Sequence, residues 1–169
     1  MSALETDRLR GTPLGPADLG DMRLIHADPT AMVTLTADGR PLAEAVTAER
    51  LDLFARHWAE HGFGPWGWRL RGGDFVGYCG LKRGPVDGGT EVELLYGLRP
   101  AYWRQGLVRE AGRAVLAHAR DALGLDSLVC FTLPTNRDSR RAMEGLGFAF
   151  ERHIRHAGLP HVLYRLRLR

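Results

Sequence analysis

The chain has 169 residues, of which 44% are hydrophobic and 25% are charged, and this balance excludes an intrinsically disordered polypeptide. Its formal net charge of +3 fits an anionic small molecule as well as nucleic acid, but no basic run is interleaved with aromatic residues. No apolar stretch is long enough to cross a bilayer, so these quantities predict one globular domain over residues 1–169.

The first eleven residues are charged and lack the apolar region of a signal peptide. Cys79 and Cys130 lie far apart in apolar runs, as expected for buried thiols in a reducing compartment. We therefore expect a cytoplasmic protein with no contact to nucleic acid or membrane.

Hydrophobic periodicity and turn residues predict the element order β-α-α-β-β-β-α-β-α-β-β. In chain order these are a strand at 9–14, a helix at 16–26, a helix from an N-cap Thr47 to Gly62, strands at 66–70, 75–81 and 92–98, a helix at 104–123, a strand at 128–133, a helix at 136–146, and strands at 148–155 and 161–168. Residues 27–46 are predicted to be irregular, and residues 84–89 a longer turn. The order indicates an α+β or mixed α/β fold with a mostly antiparallel sheet flanked by helices.

The stretch from Glu91 to Arg113 has the features of a phosphate site beside a carboxylate. Arg104, Gln105 and Gly106 fall at a predicted helix start, where unpaired N–H groups and the helix dipole favour an anion. Glycine permits close backbone approach, and Glu93 lies just upstream as a candidate base. An ordinary solvated helix start has the same local pattern.

A second polar cluster opens the short helix that follows the buried strand at 128–133. Asn136 suits the N-cap, and Ser139 falls on the side that faces the sheet. This cluster is predicted either to cap the helix or to take part in catalysis.

Together these segments resemble the GNAT superfamily of N-acetyltransferases. Residues 102–111, YWRQGLVREA, look like its acyl-CoA pyrophosphate-binding motif, and residues 136–148 look like the matching segment of the RimJ/RimL-like branch. Segments at 4–9, 62–66 and 76–81 resemble that branch in order and spacing. The resemblance covers essentially the whole chain and implies a sheet that splays between its fourth and fifth predicted strands.

The resemblance implies transfer of an acetyl group from acetyl-CoA to a primary amine, either a protein N-terminus or a small molecule, by direct attack without an acyl-enzyme. Glu93 would be the base, acting through a water, and Ser139 would act as an acid or position the sulfur. Backbone N–H groups near Leu95 and Tyr96 would stabilise the oxyanion. The residues implied to contact the cofactor are Leu95, Tyr96, Leu98, Arg104, Gln105, Gly106, Leu107, Val108, Arg109, Asn136 and Ser139. No metal is implied, and family members often pair as homodimers.

Two positions depart from the family pattern. Val108 stands where glycine or alanine is usual, and Met143 lies near the place of a helix tyrosine that many of these enzymes carry. A catalytically weak acyl-CoA-binding or regulatory protein on the same fold is the main alternative.

Two other interpretations concern aromatic and histidine residues. Tyr78, Trp66 and Trp68 are predicted either to line an acceptor pocket or to belong to the core. His57 and His61 match the HxxEH pattern of inverted zinc peptidases, although no third-ligand motif accompanies them.

Overall fold

A computed structural model describes residues 2–169, which form one eight-stranded sheet with helices on both faces. The strands are β1 (Leu4–Glu5), β2 (Leu9–Pro13), β3 (Pro65–Leu70), β4 (Phe75–Val86), β5 (Gly89–Leu98), β6 (Ser127–Thr132), β7 (Ala149–His156) and β8 (Leu159–Arg167). The helices are α1 (Leu19–His26), α2 (Pro29–Met32), α3 (Glu44–His61), α4 (Leu107–Asp121) and α5 (Arg137–Gly145). Within the described residues, no helix is both long and apolar enough to cross a membrane.

The strand order is β1-β2-β3-β4-β5-β6-β8-β7, and every neighbouring pair is antiparallel except β5 with β6. These two parallel strands share one register pair, Glu93 with Val129. Beyond it they diverge, so the half of β5 that ends at Leu98 has no strand ladder on that side within residues 2–169. The mixed α/β fold and its opening between the fourth and fifth predicted strands are confirmed.

Two core clusters lie on opposite faces of the sheet. On one face, α4 buries Leu107, Ala111 and Val115 in a cluster that includes Cys79. The other cluster packs α1, α2 and α3 against the sheet and includes Tyr78. Because Tyr78 and Cys79 are consecutive strand residues, their side chains point to opposite faces of the sheet, and each belongs to a different cluster.

Several predicted bounds were wrong. The predicted order lacks β1 and α2, the latter within the stretch predicted to be irregular. The predicted turn at 84–89 is mostly strand, because β4 and β5 continue to a tight turn at Asp87 and Gly88, which have φ of 48° and 81°. Both residues have the positive φ that a two-residue hairpin turn requires.

Thr47 is not an N-cap. The helix begins three residues earlier, after Ala43, and Thr47 is buried within it. Its hydroxyl accepts a hydrogen bond from Arg23 and lies 3.0 Å from Nδ1 of His26. The hydroxyl joins α3 to α1 instead of capping a helix.

Candidate functional site

The predicted phosphate loop, residues 104–106, directly precedes α4. The helix itself begins about one turn later than predicted. The helix begins at Leu107, and Gly106 is its N-cap with a left-handed φ of 75°. The first intrahelical bond at this end is donated by the N–H of Glu110 to the Gly106 carbonyl, so the N–H groups of residues 107–109 have no helical acceptor. Arg104, also left-handed at φ 59°, precedes the helix. Free N–H groups and a positive helix end can bind an anion here.

The N-terminal segment fixes the position of this loop. One carboxylate oxygen of Glu110 accepts hydrogen bonds from the Thr6 hydroxyl (2.6 Å) and the Arg8 N–H (2.8 Å). The other oxygen accepts from Nε of Arg8 at 2.6 Å, and Nη1 of the same arginine donates to the Gln105 carbonyl at 2.9 Å. Sequence reasoning missed Thr6, Arg8 and Glu110 as parts of the loop, because the contacts join residues about a hundred positions apart.

Replacing Glu110 by glutamine should lower the free energy of unfolding at pH 7 by about 1–3 kcal/mol, because a charged acceptor of several hydrogen bonds becomes neutral. Burial alone would raise the pKa of Glu110, but the bonds from Thr6 and Arg8 outweigh it and hold that pKa below its ordinary value. The stabilisation is therefore present above the carboxyl's unfolded-state pKa and is lost as pH falls through its folded-state pKa.

Urea unfolding of the wild type and Glu110→Gln at pH 7 and near pH 3 measures this. Glu60→Gln, at an exposed carboxylate on α3, is the matched control and should leave stability almost unchanged. A stability difference as large near pH 3 as at pH 7 would contradict the role given to the ionised carboxylate.

Glu93 lies at the point where β5 and β6 begin to separate. Its side chain is only 16% exposed, so it is not the solvent-facing strand residue that its polar character would predict. Burial raises its pKa to about 7, and Lys82, with Nζ 4.0 Å from Oε1, lowers it in part. A carboxylate with a pKa near neutrality is suited to accept a proton at physiological pH.

The start of α5 contacts the part of β5 from which β6 has diverged. Asn136 is the N-cap, and its Oδ1 accepts the N–H of Ser139 at 3.1 Å. The Ser139 hydroxyl lies 2.8 Å from that of Tyr96, which also donates to the Ser139 carbonyl at 3.1 Å. Burial raises the pKa of Tyr96 far above its ordinary value and keeps it protonated. Only the backbone of Tyr96 was expected to matter, whereas its side chain joins β5 to α5.

Three arginines near the starts of α4 and α5 differ in how available their charge is. Arg104 is 84% exposed, with Nη2 3.8 Å from Asp138 at the start of α5. Arg109 lies along Gly145, beside a cavity of about 490 Å³. Arg140, in contrast, donates to the Tyr164 hydroxyl and to a backbone carbonyl, so it belongs to the fold. Of these three arginines, Arg104 and Arg109 are therefore the ones placed to contact an anion at the loop.

The HxxEH pattern has a structural explanation. His57 Nδ1 lies 2.8 Å from the Phe63 carbonyl, and its Nε2 accepts the Arg83 N–H at 2.9 Å. Both ring nitrogens are thus engaged by the backbone, which leaves His57 no lone pair for zinc. Trp66 and Trp68 are fully buried and belong to the core.

The model of the acetyltransferase (GNAT) domain matches residues 8–149. FsC-acetyl coenzyme A-N(2)-transacetylase of Aspergillus fumigatus is 31% identical over 152 residues, which are 85% of this chain and 63% of that protein. The chain therefore spans less than two thirds of that relative's length.

Two solved structures illustrate the similarity of fold. An acetyltransferase from Agrobacterium tumefaciens has a TM-score of 0.82 at 26% identity, covering 98% of this chain and 94% of that one. RimL, a ribosomal L7/L12 alpha-N-protein acetyltransferase solved with coenzyme A, has a TM-score of 0.80 and covers 98% of both chains. At 12% identity, the second similarity concerns the fold alone.

Proposed function

Because the chain belongs to the acetyltransferase (GNAT) domain family, we propose that it transfers the acetyl group of acetyl-CoA to a primary amine by direct attack, without an acyl-enzyme. The observation that carries the proposal is Glu93, a largely buried carboxylate with a pKa of about 7 at the divergence of β5 and β6. An amine is protonated at neutral pH and must lose a proton to attack, and a base of this pKa is matched to that task.

The cofactor would bind along the opening and the loop before α4. The N–H groups of Leu107, Val108 and Arg109 would bind its pyrophosphate, with Gln105 beside them and Arg104 adding charge. We assign Val108 a backbone contact as well, because its side chain packs partly against the core. Leu107 and Leu98 are buried, so we assign the former a backbone contact and the latter an apolar wall.

Each chemical requirement of the reaction has a candidate group. Acetyl-CoA supplies an acetyl thioester, whose thiolate, with an ordinary pKa near 8.5, is a fair leaving group. Glu93 would take the amine proton through a water. Backbone N–H groups near Leu95 and Tyr96, on the part of β5 that β6 leaves, would donate to the carbonyl oxygen. The Ser139 hydroxyl would donate to the sulfur, and Asn136 fixes the turn that carries it.

We further propose a RimJ/RimL-like enzyme, comprising a single acyltransferase domain over residues 1–169, that works in the cytoplasm and pairs as a homodimer. The support for the branch is the spacing of the Asn136 segment and of the N-terminal segment, whose Thr6 and Arg8 bind Glu110. The acceptor is a protein N-terminus or a small-molecule amine.

Release of free CoA thiol tests the function. We expect release from acetyl-CoA that depends on an added amine, together with an N-acetylated product of matching mass. A panel of small amines and peptide N-termini, followed by thiol detection and mass spectrometry, measures both. Tight acetyl-CoA binding without amine-dependent release would indicate an acyl-CoA-binding or regulatory protein instead.

A further inference from the structure

Tyr78 and Glu93 project from the same face of the sheet. In the β4–β5 register, Tyr78 lies opposite Gly97 and Lys82 lies opposite Glu93, and residues an even number apart share a face. A Cβ atom at Gly97 would lie 2.8 Å from the Tyr78 hydroxyl oxygen, so the phenol lies directly over β5. The Tyr78 hydroxyl therefore lies beside Gly97, on the part of β5 from which β6 has diverged. Gly97 is four residues after Glu93, which corresponds to about 13 Å along β5.

Two polar groups at this place have no partner. Among residues 2–169, neither the Tyr78 hydroxyl nor the half-buried Arg50 guanidinium of α3 forms a hydrogen bond or an ion pair. Within the same residues, every fully buried side-chain nitrogen or oxygen has a hydrogen-bond partner, so the unpartnered Tyr78 oxygen is not fully buried and keeps some solvent-accessible surface. Leu51, the next residue of α3, packs in the same core cluster as Tyr78, so α3 places Arg50 on the face of the sheet from which the phenol projects. Burial raises the pKa of Tyr78 to about 12, and the positive charge of Arg50 opposes that rise.

The other cations near this face are already engaged. Arg23 donates to a backbone carbonyl and to a threonine hydroxyl. Arg69 forms ion pairs with two aspartates, and Lys82 faces Glu93. Of these four cations, Arg50 is the one whose side chain forms no hydrogen bond or ion pair within residues 2–169. Its donors remain available for a charge-assisted hydrogen bond, so an anionic ligand group would be stabilised there.

We propose that Arg50 and the Tyr78 hydroxyl bind a carboxylate group of the acceptor, while Glu93 serves its amine. The inference rests on the acetyl-transfer function proposed above and narrows its substrate to small amines that carry a carboxylate, such as amino acids or short peptides. A guanidinium and a phenol hydroxyl both donate hydrogen bonds to a carboxylate. The same charge repels polyamines and other polycationic amines.

Three amines of matched length test the charge requirement: 4-aminobutyrate, butylamine and 1,4-diaminobutane carry a carboxylate, a methyl group and an ammonium at the same end. Acetyl transfer is measured as kcat/KM for each amine. Binding of each amine to the CoA-loaded protein is measured by calorimetry. We expect 4-aminobutyrate to be preferred to butylamine by about 10-fold or more, and 1,4-diaminobutane to be the poorest. Glycine and glycylglycine, compared with their amides, distinguish an amino acid from a peptide acceptor.

The variants are Arg50→Gln, Arg50→Glu and Tyr78→Phe, with Arg56→Gln at an exposed arginine of the same helix as the control. Arg50→Gln should remove most of the preference for 4-aminobutyrate and leave butylamine within about threefold. Arg50→Glu should reverse the preference toward 1,4-diaminobutane. Thermal unfolding of each variant verifies that α3 is intact, and Arg56→Gln should behave as the wild type.

The outcomes separate this inference from the function it rests on. Acetyl transfer without a carboxylate preference, or with one that Arg50→Gln and Arg50→Glu leave unchanged, overturns the inference and keeps the function. Arg50-dependent binding of 4-aminobutyrate without any acetyl transfer supports the inference and overturns the function. If 4-aminobutyrate neither binds nor reacts better than butylamine, the carboxylate site is wrong.

Discussion

Glu93→Gln is expected to lower the turnover number of acetyl transfer by about 10²- to 10⁴-fold, the usual contribution of a general base. Glutamine has nearly the same shape and keeps a hydrogen-bond acceptor, but it cannot take up the amine proton. The Michaelis constant for acetyl-CoA should change little, because the phosphate loop before α4 is untouched. Steady-state kinetics with a saturating amine measure both quantities.

The pH dependence identifies the group. Since burial raises the pKa of Glu93 to about 7, the carboxylate is ionised above that pH and protonated below it. The wild-type rate should therefore fall as pH decreases through about 7, and Glu93→Gln should lack this acidic limb. Lys82→Gln is an informative control, because loss of a charge that lowers the pKa should move the limb to higher pH. A variant with wild-type rates and an unchanged limb would show that another group is the base.

Gly106→Glu should weaken binding of acetyl-CoA by about 100-fold or more. The substitution places a carboxylate where the free N–H groups of α4 and the helix dipole favour an anion, so it repels the phosphates. It also forces a side chain into the left-handed region at φ 75°, which costs about 1–2 kcal/mol. Calorimetric titration with acetyl-CoA and with CoA gives the change in affinity.

Gly88→Glu separates the two causes. Gly88 has a similar φ of 81° in the exposed turn between β4 and β5, with open space around its Cα. It should lose stability to backbone strain but bind acetyl-CoA normally. Equal loss of binding in both variants would mean that strain, and not the position of Gly106, is responsible.

The elements that could be predicted are those whose pattern is local. The stripe of α4 and the alternation of β8 repeat over several turns or pairs, so periodicity reveals them. β1 and α2 are too short to repeat. Thr47 was misread because a hydroxyl before an apolar stripe is the usual sign of an N-cap, whereas this hydroxyl binds residues of another helix.

The residues of the candidate site also fall into two groups, those that a local sequence pattern predicts and those that it does not. Glycine and arginine before a helix are visible in a single stretch of sequence, and so is Asn136 with Ser139. Two further contacts connect residues distant in the chain, Arg8 with Glu110 and Tyr96 with Ser139, and α3 brings Arg50 to the face of the sheet that carries Tyr78. Only the folded sheet brings these together, and no spacing rule within one segment anticipates them.

The place of β8 in the sheet bears on how the protein is made. β8 lies between β6 and β7, so β6 receives its antiparallel partner from a strand that is synthesised after β7. Until then β6, with its apolar residues from Leu128 to Phe131, is an unpaired edge that a neighbouring nascent chain can join. The wall of the opening that faces β5 is therefore completed only after β8 has been synthesised, and ribosome-bound intermediates that lack β8 should expose it to chaperones.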